Sequence, residues 1–311
     1  MNEPVSPSPA GRVAHATGSE KLKGHLAMVL FAALIAGSFT LGKLVVPHID
    51  PEPLNAPRFV LAALLMGFMA FGVRKHPLRF PRALWRFAIL GALSAIYFVT
   101  MFIALELTTP VSTSAVFTLV PLMIAVVAVP ILGQTVSPSV ALSLFFGAAG
   151  AIWVIFGGDI GAIAAFRIGT GELVFFGGCL GYAIYAPLVR KFNHGEPLTV
   201  LTFFTLAATA VWMSLYGVAP ILATDWAALP PLVWWVLAYL AIFPSAIAFF
   251  LVQYSTARMP SSKVIAYGYL TPLFVIVYEG LLGHGWTDIS VLGGALVTCL
   301  GLLTLYFARE H

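Results

Sequence analysis

Two octets 151 residues apart decide the reading of this chain: Ala115-Val116-Phe117-Thr118-Leu119-Val120-Pro121-Leu122 and Ala266-Tyr267-Gly268-Tyr269-Leu270-Thr271-Pro272-Leu273. Each lies inside a long apolar run, and each carries a proline where a helix would otherwise continue. Proline donates no N–H, and its ring crowds the carbonyl four residues back. The match of Pro121 with Pro272 therefore weighs more than the pairs of leucines and alanines around it. At the same offset Phe98 matches Phe249, Ser94 matches Ser245 and Gly150 matches Gly301. At an offset of 144, Gly37 matches Gly181, Leu44 matches Leu188, and the pair Ala33/Gly37 matches Gly177/Gly181. Small residues four apart let helix backbones approach closely. The chain reads as a duplicated unit.

The surroundings of the octets name the solvent. Over 311 residues, 60% are hydrophobic and 9% charged, with a mean hydropathy of +0.97. A soluble domain carries roughly 25% charged residues, so a lipid bilayer is the partner that this composition requires. The net charge of +4 does not indicate nucleic acid, because the lysines and arginines fall in short clusters between apolar runs. Cys179 and Cys299 lie in mid-run, where thiols pack as small apolar groups. Residues 1–24, with Pro4, Pro7, Pro9 and Gly18, read as a disordered tail without the apolar stretch of a cleaved signal peptide.

A spanning helix needs roughly 20 apolar residues. Ten segments qualify, at 25–46, 55–73, 83–107, 111–132, 138–157, 169–189, 197–219, 231–254, 260–282 and 286–308. The expected fold is thus an all-α integral membrane protein, with repeat 1 at 25–157 and repeat 2 at 169–308. With the N-terminus in the cytoplasm, Arg12, Lys21, Lys23, Arg74, Lys75, Arg79, Arg82, Arg86, Arg190, Lys191, Arg258, Lys263 and Arg309 fall inside, and Lys43, Arg58 and Arg167 outside. That asymmetry predicts cytoplasmic termini. Trp226, Trp234, Trp235 and Trp286 mark outer span ends, Trp85 and Tyr306 inner ones. Five helices per half is an odd number, so the halves have opposite orientations around a central cavity. Inverted repeats that meet at the bilayer midplane are a transporter architecture.

Several stretches resemble the drug/metabolite transporter superfamily in its EamA-type two-repeat form. They are Gly37-Ser38-Phe39-Thr40-Leu41-Gly42-Lys43 in the first span, Pro53-Leu54-Asn55-Ala56-Pro57-Arg58-Phe59 opening the second, and the run from Ala104 through Pro121 and Gly133 to Gly150. Within the superfamily the chain looks most like YddG-type aromatic amino-acid exporters. The family often has Glu where this chain has Gln134 and His284, so an acid-coupled step is not expected here. The resemblance implies a multi-pass inner-membrane exporter with a small-molecule substrate, no cofactor and no metal. A monomer fits it, and the oligomeric state stays open.

Ionisable residues inside a membrane are costly and mark function by default. Lys43, Arg58, Glu106, Glu172 and Glu279 fall near outer span ends, and Lys43, Glu106, Glu172 and Glu279 are candidates for a gate or vestibule. Arg86 and Lys263 lie near inner ends, from which they can snorkel. The midplane holds no expected acid or base, which favours facilitated diffusion of a neutral or zwitterionic solute, with antiport second. It does hold hydroxyls, rings and a thioether. Ser94, Tyr97 and Met101 share one helical face. Tyr182 and Tyr185 lie on the sixth span, Thr118 on the fourth and Tyr269 on the ninth. Ser38, Ser94 and Thr118 are repeat-equivalent to Tyr182, Ser245 and Tyr269. These nine are the candidate substrate-binding residues, and Gly37, Gly181, Pro121 and Pro272 the candidate packing or hinge positions. Aromatic walls suit amino acids with aromatic or large apolar side chains. Drugs or nucleotide-sugars would use the same scaffold. An intramembrane enzyme is disfavoured, since no H-E-x-x-H, no G-x-S-x-G and no paired acids fall within a span.

Overall fold

The computed structural model describes residues 18–81, 83–133, 137–165, 168–256, 258 and 261–307. Residues 1–17, which hold most of the expected tail and Arg12, lie outside the described residues. So do Arg82, Gln134, Arg167 and Arg309, and the side chains of Lys21 and Tyr306 are likewise not described.

The described residues are helical throughout their apolar runs. α1 spans Gly18–Val45, α2 Pro51–Gly67 with a π-helical continuation Phe68–Val73, and α3 Leu84–Leu107. α4 runs over Pro110–Leu132, α5 over Pro138–Ile155, α6 over Thr170–Phe192 and α7 over Leu198–Tyr216. α8 comprises Pro231–Leu240, the π-helical turn Ala241–Ile247 and Ala248–Thr256. α9 comprises Ser261–Ala266, the 3-10 turn Tyr267–Leu270 and Thr271–Leu281, and α10 is Ile289–Phe307. Short helices Ile160–Ala164 and Val218–Ala223 lie in the connections. α1 to α8 are long and apolar enough to cross a membrane, and α10 contains a shorter apolar helix, Ile289–Thr304. Large apolar side chains on their outer faces are bare, among them Phe68, Val126, Phe145 and Trp235, as expected where lipid is the solvent.

Local chemistry sets these bounds. α2 starts at Pro51, four residues before the expected point, because Pro51 occupies N1 after Asp50 in an extended conformation. Proline is tolerated in a first turn, where its missing N–H would have no partner. α4 starts in the same way at Pro110, with the Thr109 hydroxyl accepting from Ser112 N at 3.2 Å. Gly133 ends α4 at φ 65°, a left-handed cap that favours glycine.

Each of the two proline-bearing octets lies where a span breaks. α4 divides into Pro110–Phe117 and Val120–Leu132, with Pro121 in the first turn of the second piece. α9 divides at Tyr267–Leu270, with Pro272 in the first turn of Thr271–Leu281. Breaks in membrane helices persist where the freed carbonyls find other donors. Tyr269 O, for example, accepts from Thr298 Oγ1 of α10 at 3.0 Å. Pro244 acts likewise in α8, widening the helix into its π turn. Its missing N–H leaves Leu240 O without the usual partner, and Ser245 Oγ donates to that oxygen at 2.9 Å.

α5 packs along α10, α3 along α6 and α7, α2 along α7, and α1 against α8 and α9. The α5–α10 contact is tight and reciprocal. A Cβ on Gly150 would lie 2.6 Å from Gly294 O and from Thr298 N, and one on Gly301 would lie 2.7 Å from Ser143 O. Ser143 Oγ donates to Gly301 O at 2.6 Å. Gly37 receives the Tyr239 ring of α8, whose hydroxyl donates to Leu34 O at 3.0 Å. Gly181 is in ordinary contact with α3. The close approach on that face belongs to Gly178, which lies against Thr100 and Tyr97.

Candidate functional site

Helices α1, α2, α3, α6, α7 and α8, with Phe117 of α4, enclose a cavity of about 400 Å³. Seven of the nine candidate binding residues line it: Ser38, Ser94, Tyr97, Met101, Tyr182, Tyr185 and Ser245. They come from both halves of the chain. Tyr97 packs 4.9 Å from Tyr182, centroid to centroid, and Tyr182 stacks on Tyr185 at 5.4 Å and 26°. Tyr97 also touches Phe98 at 4.8 Å and Phe175 at 5.4 Å, so one wall is a continuous run of rings.

Thr118 and Tyr269 lie elsewhere, because the helix breaks occupy them. Thr118 is buried with Oγ1 donating to Ala115 O at 2.6 Å. The Tyr269 ring fills the space left by Gly147 and Gly301 between α5 and α10, and is fully buried there. Ser245 lines the cavity, but its hydroxyl proton is committed to Leu240 O. Ser38 Oγ is buried without a hydrogen-bond partner.

The cavity is closed at one end and open at the other. Phe39, Phe59 and Met101 at the closed end are at most 1% exposed, whereas Leu198 at the other end is 41% exposed and Val189, Thr202 and Val252 are half-buried. The open end is the one at which α1 begins. Around it Arg86 Nη2 meets Glu196 Oε1 at 2.7 Å, tying α3 to the α6–α7 connection, and Arg258 Nη2 meets Glu20 Oε2 at 3.0 Å, tying α8 to α1.

The four gate candidates divide into two groups beyond the closed end. Lys43 Nζ donates to Leu105 O at 2.5 Å and to Thr108 O at 3.1 Å, where α3 leaves carbonyls without intrahelical donors. Glu172 accepts from Thr108 Oγ1 at 2.5 Å and Ser112 Oγ at 2.6 Å. Lys43 and Glu172 thus bind the same residue, Thr108, one at its carbonyl and the other at its hydroxyl. The Glu106 side chain is exposed beside them. Glu279 stands apart from this group, paired through Oε2 with His284 Nδ1 at 2.9 Å.

Arg58 changes the expected picture of the interior. Its sequence position suggested an outer span end, and the midplane read as free of charge. Because α2 starts at Pro51, Arg58 is two turns inside, about 10 Å along the axis at 1.5 Å per residue. It is 1% exposed and lines the cavity. The guanidinium lies 4.5 Å over the Phe98 ring and 5.2 Å from the Phe59 centroid. Nη1 donates to Asn55 Oδ1 at 3.3 Å, and Nε is buried without a partner. Asn55, one turn earlier with Nδ2 bonded to Pro51 O at 2.8 Å, is the sequence signal that could have placed this arginine inside.

The EamA-like transporter family profile matches residues 22–156 and again 169–307. The uncharacterized transporter YyaM of Bacillus subtilis (strain 168) is 28% identical over 287 residues, which is 90% of this chain and 92% of that protein. An uncharacterized transporter of Archaeoglobus fulgidus is 26% identical over 292 residues, 93% of this chain and 99% of that one. A solved crystal structure superposes with a TM-score of 0.66 at 21% identity, covering 94% of this chain and 99% of that chain. At that identity the likeness speaks for the fold alone.

Proposed function

The chain belongs to the EamA-like transporter family, and from that premise we propose that it exports amino acids with aromatic or large apolar side chains by alternating access at the ring-walled cavity. The observation that carries this reading is the cavity itself. At about 400 Å³ it is near the lower end of the roughly 300–1,000 Å³ usual for small-molecule sites. That size suits a single amino acid better than a nucleotide-sugar. Its walls offer ring faces that hold both a flat side chain and an ammonium group.

The α9 pieces and α10 complete ten spans in this reading, five per repeat, with the repeats inverted. Both termini lie in the cytoplasm of an inner membrane, and one copy of the chain suffices for transport. The cavity then faces the cytoplasm, the side from which an exporter loads. Among the described residues no Asp, Glu or His lines it, which supports facilitated diffusion or exchange over proton coupling.

The test is uptake of radiolabelled solutes into proteoliposomes by counterflow, comparing phenylalanine, tryptophan and leucine with a nucleotide-sugar and an amphiphilic cation. Saturable exchange of the amino acids is the expected result. Exchange of the amphiphilic cation or nucleotide-sugar in their place would overturn the amino-acid assignment in favour of the drug or nucleotide-sugar alternative.

A further inference from the structure

The closed end of the cavity holds a fixed cation that no described residue neutralises. Among the described residues no carboxylate oxygen lies within 4.0 Å of the Arg58 guanidinium, and its one hydrogen bond goes to the neutral Asn55. The Phe98 and Phe59 faces return part of the cost of desolvation, but removing an unpaired charge from water costs more than ring faces restore. Five hydroxyls without a described hydrogen-bond partner line the same cavity, those of Ser38, whose oxygen is buried, Ser94, Tyr97, Tyr182 and Tyr185. A guanidinium fork and hydroxyls lining one cavity, with no acid among the described residues of that lining, are the donor set of an anion receptor.

We propose that the closed end is a carboxylate site, in which Arg58 takes the anionic head of the transported molecule while its apolar part lies along Tyr97, Tyr182 and Tyr185 toward the open end. This deepens the transport reading above and rests on it. A monocarboxylate balances the single charge of Arg58. A phosphate monoester would bring a second negative charge into a cavity whose described lining offers no second cation. A substrate's ammonium group would face the tyrosine rings.

The experiment uses the purified full-length protein and measures thermal protection and direct binding with matched probes. These are L-phenylalanine, L-phenylalaninamide, 3-phenylpropionate, acetate and inorganic phosphate. The expected result is that both ring-bearing acids bind about tenfold or more tightly than the amide. Acetate should protect weakly, and phosphate no better than acetate. Arg58→Gln should lose the preference for acid over amide, and Arg58→Lys should keep it at reduced affinity. If Arg58→Gln does not fold, the acid–amide comparison in the wild type and the Arg58→Lys variant decide. An amide that binds as well as the acids, an acid preference that survives Arg58→Gln, or phosphate that outcompetes acetate would each overturn the carboxylate site. Ring-bearing acids that bind no better than acetate would leave that site standing and remove the aromatic substrate instead.

Discussion

Tyr97 and Tyr185 belong to the same ring wall but are embedded differently, and this makes their substitution informative. Tyr97 is 5% exposed, and its ring meets those of Phe98, Phe117, Phe175 and Tyr182 at 4.8, 6.4, 5.4 and 4.9 Å. Truncating a buried ring costs about 3–5 kcal/mol. At about 2 °C per kcal/mol for a chain of this size, Tyr97→Ala should lower Tm by about 6–10 °C. Tyr185 is half-buried, and the described residues give it one ring contact, with Tyr182 at 5.4 Å. Such a pair is worth about 0.5–1.5 kcal/mol beyond burial, so loss of this ring contact in Tyr185→Ala should lower Tm by only about 1–3 °C. If the ring also holds substrate, its loss removes about 0.5–2 kcal/mol of binding, a twofold to roughly thirtyfold rise in KM. The assay is counterflow of labelled phenylalanine, with Tm measured on the same preparation. Tyr185→Phe and Tyr97→Phe should keep most of the affinity if ring contact matters. A folded Tyr185→Ala with wild-type KM would refute the ring wall as the substrate surface.

Three further expectations follow from other parts of the molecule. Gly150→Ala and Gly301→Ala should each lower Tm, because about 1–3 kcal/mol of overpacking against backbone outweighs the gain in helix propensity of about 0.8–1 kcal/mol. Gly293→Ala, on the open side of α10, should not lower it; equal Tm values for all three would refute the tight contact. Burial raises the Glu196 carboxyl, but hydrogen bonds from Arg86 and from the His194 backbone N–H outweigh it and hold the group below the usual carboxylate range. Its stabilisation is therefore complete above the unfolded value of about 4.3 and fades as pH falls through the lower folded value. Glu196→Gln should cost about 1.5–3 kcal/mol at pH 7, with the gap in Tm closing below pH ~4; a gap unchanged across that range would show the charge to be idle. Cysteine at position 225 should react with an impermeant thiol reagent added outside intact cells and cysteine at 78 should not, and the reverse pattern would invert the orientation.

Much of this was legible in the sequence, for identifiable reasons. Apolar runs and their punctuation mark the helices within a few residues, because lipid demands long uninterrupted stretches. The prolines of the two octets marked the breaks because proline acts through the local backbone, which a sequence displays directly. Ser94, Tyr97 and Met101 could be placed on one face by helical period. What could not be read was how each hydroxyl is used. Thr118 and Ser245 donate to carbonyls of their own helices, and nothing in their spacing separates them from Ser38. Arg58 was misplaced because Pro51, Pro53 and Pro57 resemble a loop in sequence, whereas here they lie in the first two turns of α2. Its depth follows from the helix start at Pro51.

Contacts that occur twice, once in each direction, are what two like subunits make when they meet about a two-fold axis. Gly150 against Gly294 and Gly301 against Ser143 are one contact counted twice, since 143 and 150 become 294 and 301 on adding the repeat offset. The joint between α5 and α10 is thus a self-complementary contact between the two matched repeats of one polypeptide. Two identical subunits must use the same side chain on both sides of such a joint, and a single chain need not. Ser143 with Gly294, and Gly147 with Thr298, are equivalent positions that carry different residues. The bond from Thr298 to the broken backbone at Tyr269 uses one of these residues, a donor that its counterpart position in α5, Gly147, does not have.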